Sequence, residues 1–202
     1  MTAISAGSYP VPGGSYPVGL DVDPPAEQNR LSVLLRLLFV IPAAIVAYAV
    51  GLALVVVSVI AWFVVLITGK YPAGMSSFTE GGVRWVTRVL GYAYLLTDKY
   101  PPFALADDAG YPIRVAAQGQ VEGRNRLTVF FRYILAIPHI IIVGVLGYAV
   151  GVVALIAWVI ALVTGSVPPG LHNFIAGYLR WNLRYSAYLL LLTDEYPPFS
   201  LT

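Results

Sequence analysis

Cysteine is absent from the 202 residues, which excludes disulfides, thiolate metal sites and a cysteine nucleophile together. Histidine is scarce as well: His139 and His172 are the only two. Two histidines without a cluster do not supply the four ligands that zinc takes, so both are expected as packed or interfacial side chains, and no metal or cofactor is expected. Charge is the third shortage. Only 11% of the residues are charged, against about 25% in an average soluble domain, too few to cover one compact water-soluble core. The net charge of +2 is too small for the dense basic face that phosphate neutralisation needs, which sets nucleic acid aside as a partner. No Gly-Lys-Ser/Thr or Gly-x-Gly-x-x-Gly sequence follows a strand, and no Ser-His-Asp set can be assembled within one half of the chain.

What the chain has in abundance is apolar sequence, 58% of all residues. From Leu31 to Ile67 the only charge is Arg36, and from Leu127 to Val163 the only one is Arg132. Runs of 18 or more apolar residues read as membrane-spanning helices. Each run has 37 residues, about 55 Å as helix against a hydrocarbon core of about 30 Å. Pro42 and Pro138 are expected to divide them, because proline removes a helical hydrogen bond and restricts the residue before it. The prefix 29–41 then reads as an amphipathic interfacial helix, and 42–67 as a tilted span of about 39 Å. A hairpin turning near Gly51 and Gly147 is the competing division. A second helix is expected over Met75–Leu96 and Leu171–Leu192, carrying Arg84 and Arg88 or Arg180 and Arg184 four residues apart on one face. The first 28 residues lack a basic n-region and an early apolar stretch, so the first run is expected to act as an uncleaved anchor. A disordered Gly/Pro/Tyr-rich tail is expected over 1–15.

The chain is internally duplicated. Asn29–Leu105 aligns with Asn125–Leu201 at a constant offset of 96, without a gap, with roughly 35 identities in 77 positions. Matched pairs include Trp62 with Trp158, Thr68-Gly69 with Thr164-Gly165, Arg84-Trp85 with Arg180-Trp181, and Thr97-Asp98-x-Tyr100-Pro101-Pro102-Phe103 with Thr193-Asp194-x-Tyr196-Pro197-Pro198-Phe199. Before each copy, Tyr16 to Val22 and Tyr111 to Val115 read as short extended segments that could pair as a small cytoplasmic sheet. The expected units are repeat 1 over 16–105, a linker over 106–110 and repeat 2 over 111–202. Near-identical halves should insert with the same orientation, which demands an even number of crossings per unit and a pseudo-twofold axis along the membrane normal. The bias of Lys and Arg to the unit ends puts the termini and the linker in the cytoplasm, and the Thr-Gly-x-x-Pro loops outside. The expected fold is thus an all-α integral membrane protein of two tandem parallel repeats.

The succession Arg-Leu-x-x-x-x-Arg-x-x-x-x-Ile-Pro, Ala-Trp, Thr-Gly-x-x-Pro, Arg-Trp and Thr-Asp-x-Tyr-Pro-Pro-Phe resembles the membrane family catalogued as domain of unknown function 4389, common in actinobacteria. The resemblance covers both copies, about residues 16 to 105 and 111 to 201. It implies a bacterial integral membrane protein and supplies no activity or functional residues.

Eight charged residues are candidates for a site: Arg36, Arg84, Arg88 and Asp98 in the first copy, Arg132, Arg180, Arg184 and Asp194 in the second. Asp98 and Asp194 read either as intramembrane acids handling ions or as helix-end capping and turn residues. The arginines read as holders of lipid headgroup phosphates, or as structural side chains that snorkel or pair with those acids. Trp62, Trp85, Trp158 and Trp181 fit an interfacial aromatic belt. The functional expectation is a non-enzymatic scaffold or accessory subunit of the cell membrane that organises lipid or a larger envelope complex, with membrane lipids and other membrane proteins as partners. A small transporter with a path at the repeat interface is the alternative. Enzymatic activity comes last, because no nucleophile–base or metal constellation is visible.

Overall fold

A computed structural model of the chain describes residues 16–202; the tail expected over 1–15 lies outside them. In chain order the elements are β1 (Val18–Val22), α1 (Arg30–Leu34), α2 (Arg36–Thr68), α3 (Ala73–Ala93), β2 (Ile113–Ala117), α4 (Arg126–Thr164) and α5 (Pro169–Leu189). The duplication is visible in that order: each copy is a strand, a long apolar helix and a shorter, more polar one.

Local chemistry fixes the helix ends. Asn29 and Asn125 cap the starts, each side-chain oxygen accepting from two backbone amides of the first turn. At the far ends Gly69 (φ 74°) and Gly165 (φ 82°) take the left-handed conformation that closes a helix. The preceding hydroxyls, Thr68 and Thr164, fold back onto the carbonyls of Val64 (2.7 Å) and Ile160 (2.9 Å).

The expected division at proline does not occur. Pro42 lies inside α2 and Pro138 inside α4; the one break falls earlier, at Leu35, and only in the first copy. Proline forfeits one internal hydrogen bond, but in α2 both flanking turns are held from outside, Arg36 before it by polar contacts and Ala43 after it by Trp85 and Val89. The helix therefore continues. No hairpin forms at Gly51 or Gly147, which sit in unbroken helix. The second helices begin earlier and stop sooner than expected, at Ala93 and Leu189, giving way to tight turns.

β1 and β2 pair antiparallel, Val18 opposite Ala117 and Leu20 opposite Val115. This sheet packs on α3 and α5, β1 contacting α5 and β2 contacting α3, so each copy's strand lies on the other copy's helix. α3 is sandwiched. A methyl on Gly91 would stand 2.2 Å from Ile113 of the sheet, and one on Gly82 would stand 2.8 Å from Leu54 of α2. About 2.5 turns separate the two glycines at 3.6 residues per turn, so they face opposite ways. The order of layers is sheet, then α3 and α5, then α2 and α4.

In the third layer the long helices run in opposite directions. Trp62 Nε1, near the end of α2, donates to the Val129 carbonyl at the start of α4 (2.8 Å), and Trp158 Nε1 returns the bond to Val33 (2.8 Å). Each helix is buried along one stripe only, through Ala43, Leu54, Ser58, Ala61 and Val65 in α2 and His139, Val150, Ala157 and Ala161 in α4. Large apolar side chains are exposed along the rest of both, from Leu37 (74%) to Ile67 (74%) and from Leu127 (67%) to Val163 (70%).

Candidate functional site

The Thr-Asp-x-Tyr-Pro-Pro-Phe segments follow α3 and α5 through turns in which Leu95 (φ 63°) and Leu191 (φ 66°) are left-handed, an uncommon state for a residue with a bulky side chain. The turns are held from outside: Gln28 Nε2 donates to the Leu95 carbonyl (2.7 Å) and Arg124 Nη2 to that of Leu191 (2.6 Å). Each turn delivers its aspartate to the start of its own copy's first helix. There the amides of Asn29 and Asn125 donate to Asp98 (3.1 Å) and Asp194 (2.9 Å). A carboxylate is favoured at that end by the helix dipole.

Arg36, 1% exposed, reaches the same corner from α2. Its Nη1 donates to the carbonyls of Tyr92 (3.3 Å) and Thr97 (2.9 Å), and its Nη2 to Asp98 Oδ1 (2.9 Å) and Gln28 Oε1 (3.0 Å). The guanidinium also lies over the Tyr92 ring at 4.1 Å. Arg132 repeats this in the second copy, bonding the Tyr188 (2.5 Å) and Thr193 (3.0 Å) carbonyls and Asp194, over the Tyr188 ring. Each arginine thus pins a long helix to the turn after the following helix. The second corner differs in two residues. Ser32 Oγ donates to Asp98 Oδ1 (2.5 Å), whereas Thr128 Oγ1 turns to the Asn125 carbonyl (2.9 Å). Arg124 stands where the first copy has Gln28, so two guanidiniums meet Asp194, with Arg124 Nη2 at 3.1 Å. Burial pulls the Arg124 pKa down to about 10, against the attraction of Asp194.

The other four arginines do not reach these aspartates. They lie on the opposite, sheet-facing side of α3 and α5. Arg84 and Arg88 approach Asp107 (3.7 and 3.5 Å) and donate to the carbonyls of Leu105 and Ala106 (both 3.0 Å). Arg180 Nε donates to the Leu20 carbonyl (3.2 Å), and Arg184 to the backbone oxygen of Thr202. Asp98 and Asp194 stand at opposite ends of the α2–α4 pair, because each belongs to the start of one of two oppositely directed helices. They do not converge on a path between the repeats.

Sequence reasoning missed Gln28 and Arg124, which lie just upstream of the aligned block, and the exchange of indole bonds between the copies. Position 28 aligning with 124 at the same offset was the available signal. His139 is a packed side chain: its Nδ1 accepts from Trp181 Nε1 (3.0 Å) and its ring stacks on Phe199 (4.1 Å). Beside the Arg36 corner an apolar cleft of about 350 Å³ opens between Leu37, Tyr94, Leu95 and the α4 residues Gly151, Leu155 and Trp158. Among the described residues no group of three or more His, Asp or Glu side chains gathers as metal ligands do.

The fold defines a duplicated, mostly helical protein with two helices long and apolar enough to cross a membrane. Residues 30–104 and 126–200 each match the family model described as domain of unknown function (DUF4389). The chain belongs to that family and carries two tandem copies of its domain. No curated protein and no solved structure matches it.

Proposed function

We propose that the protein is a non-enzymatic scaffold embedded in one leaflet of the cell membrane, with α2 and α4 lying along the bilayer plane and organising lipid around them. The observation that carries this reading is the unbroken apolar face of the two long helices on the side away from the sheet. α2 has 33 residues and α4 has 39, about 50 and 58 Å as helix, while the hydrocarbon core is about 30 Å thick. Upright helices would leave exposed leucine, phenylalanine and isoleucine in water at one end or both. Helices lying flat bury the whole face in acyl chains.

Symmetry supports the same placement. A twofold axis that relates antiparallel helices is perpendicular to them. Set along the membrane normal, it gives both copies the same orientation with no crossing at all, in place of the spans expected from the sequence. It also puts Arg30 and Arg126, which are exposed at the starts of the first helices, at one depth, that of the phosphate headgroups. The positive residues at the unit ends favour the cytoplasmic leaflet. The apolar cleft beside Arg36 opens between these helices and suits an acyl chain.

Because the chain has no cysteine, single cysteines at Ala73 and Ala109 report topology directly. Both should react with an impermeant thiol reagent from the same, cytoplasmic face, and a label at Val56 or Leu155 should be quenched by lipid-borne but not aqueous quenchers. Labelling of Ala73 and Ala109 from opposite faces would overturn the flat arrangement.

A further inference from the structure

The two copies differ at one place where the difference opens a cavity. In the first copy, Glu80 of α3 stretches under the segment that follows β2. Its Oε1 accepts from the Gly119 amide (2.8 Å) and from Ser76 Oγ (3.1 Å), closing the space between helix and strand. In the second copy the aligned residues are Ala176 and His172. No carboxylate fills the gap between α5 and the segment following β1, and a cleft of about 490 Å³ remains, lined by Asp23, Pro24, Pro25, His172, Asn173 and Arg180 among others.

One buried side chain of this cleft lacks a well-formed hydrogen bond among the described residues. His172 is 2% exposed, yet neither ring nitrogen meets a partner in hydrogen-bonding geometry; the Leu96 carbonyl and the Asn173 side chain are its polar neighbours. A buried imidazole without a well-formed hydrogen bond is destabilising unless something occupies the cavity. Arg180 spends only its Nε on the protein among the described residues, on the Leu20 carbonyl. The Asp23 charge is already matched, its Oδ1 lying 2.6 Å from Arg114 Nη2. The walls between are Val22, three prolines and Ala176.

We infer that this cleft binds a carboxylate, seated where the Glu80 carboxylate sits in the other copy. The ligand's carboxylate would accept from a ring N–H of neutral His172, in place of Ser76, and from the Nη groups of Arg180, which bond nothing among the described residues, a charge-assisted pairing. Its apolar body would lie on the proline walls, and the cleft volume is in the range of small-molecule sites. The inference does not depend on how the long helices lie in the membrane.

The test uses the full chain in bicelles with ¹⁵N-labelled histidine, the His172 signals being assigned with His172→Gln. Butyrate and palmitate represent a soluble and a membrane source of the same group, and inorganic phosphate is the competing anion. A saturable shift of the His172 ring nitrogens with butyrate or palmitate is expected, and which of the two binds identifies the source. Arg180→Gln should weaken it at least about tenfold, and Ala176→Glu, which rebuilds the first copy's side chain inside the cleft, should abolish it while raising the Tm. No saturable shift with either carboxylate, tighter binding of phosphate, or an undiminished shift in a folded Ala176→Glu or Arg180→Gln protein would overturn the assignment.

Discussion

Trp62 and Val129 belong to different copies of the repeat, and the indole of one donates to the carbonyl of the other at 2.8 Å. The symmetric bond from Trp158 to Val33 ties the opposite end. Replacing both tryptophans with phenylalanine keeps most of the apolar contact and deletes only the two bonds. Each should lower stability by about 1 kcal/mol, read from denaturant titration in detergent, and the double variant should show nearly additive losses because the bonds are far apart.

Asp194 holds two guanidiniums where Asp98 holds one. Its replacement by asparagine leaves two buried cations without a counter-charge, so Asp194→Asn should cost about 3–5 kcal/mol and more than Asp98→Asn. Arg124→Gln puts the first copy's glutamine at that corner and removes one of the two cations. Combined with Asp194→Asn it should lose clearly less than the sum of the single changes, a coupling that a double-mutant cycle measures.

The segments after the prolines lie across glycines of α3 and α5. A methyl on Gly81 would stand 2.9 Å from Leu105 Cβ, and one on Gly177 would stand 2.8 Å from the Leu201 carbonyl oxygen. Gly81→Ala and Gly177→Ala should each lift the strap at a cost of about 1–3 kcal/mol. Gly177→Ala should also raise the rate at which a protease cuts within residues 195–201.

Burial holds the His172 pKa below its ordinary 6.5, only partly offset by its polar neighbours, while Arg180 lowers it further. The unfolded chain therefore takes up a proton as pH falls through 6.5 that the folded one refuses. Stability from this residue is complete above that pH and declines below it, until the depressed folded value is reached. His172→Gln should flatten the Tm profile between pH 7 and 5, and an unchanged slope would count against this assignment.

The repeat and the approximate course of the helices were legible because they depend on local pattern, offset identities and long apolar runs; the caps at Asn29 and Asn125 and the stops at Gly69 and Gly165 were not among the sequence readings. The course through Pro42 was not legible, because it depends on Arg36 and Trp85 holding the turns on either side. Pairing of Arg36 with Asp98 was among the sequence readings, as one of two roles for the arginines. The fate of Arg84 and Arg180 was hidden, since their partners, Asp107 and the sheet carbonyls, come into reach only once strands cross from one copy to the other. Antiparallel placement of the long helices left no trace in composition. It rests on the exchange of two indole bonds.

That exchange bears on how a chain with a single copy would assemble. Leu20 and Val115, opposite one another at the middle of the sheet, occupy equivalent positions of the two copies, as do Tyr16 and Tyr111, whose hydroxyls each donate to the other copy's turn, at the carbonyls of Glu195 and Lys99. A lone unit could pair Leu20 with the same leucine of a second molecule and donate its tryptophan across the contact in both directions. The present fold is in this sense an isologous homodimer written into one polypeptide, in which either half can change without the other.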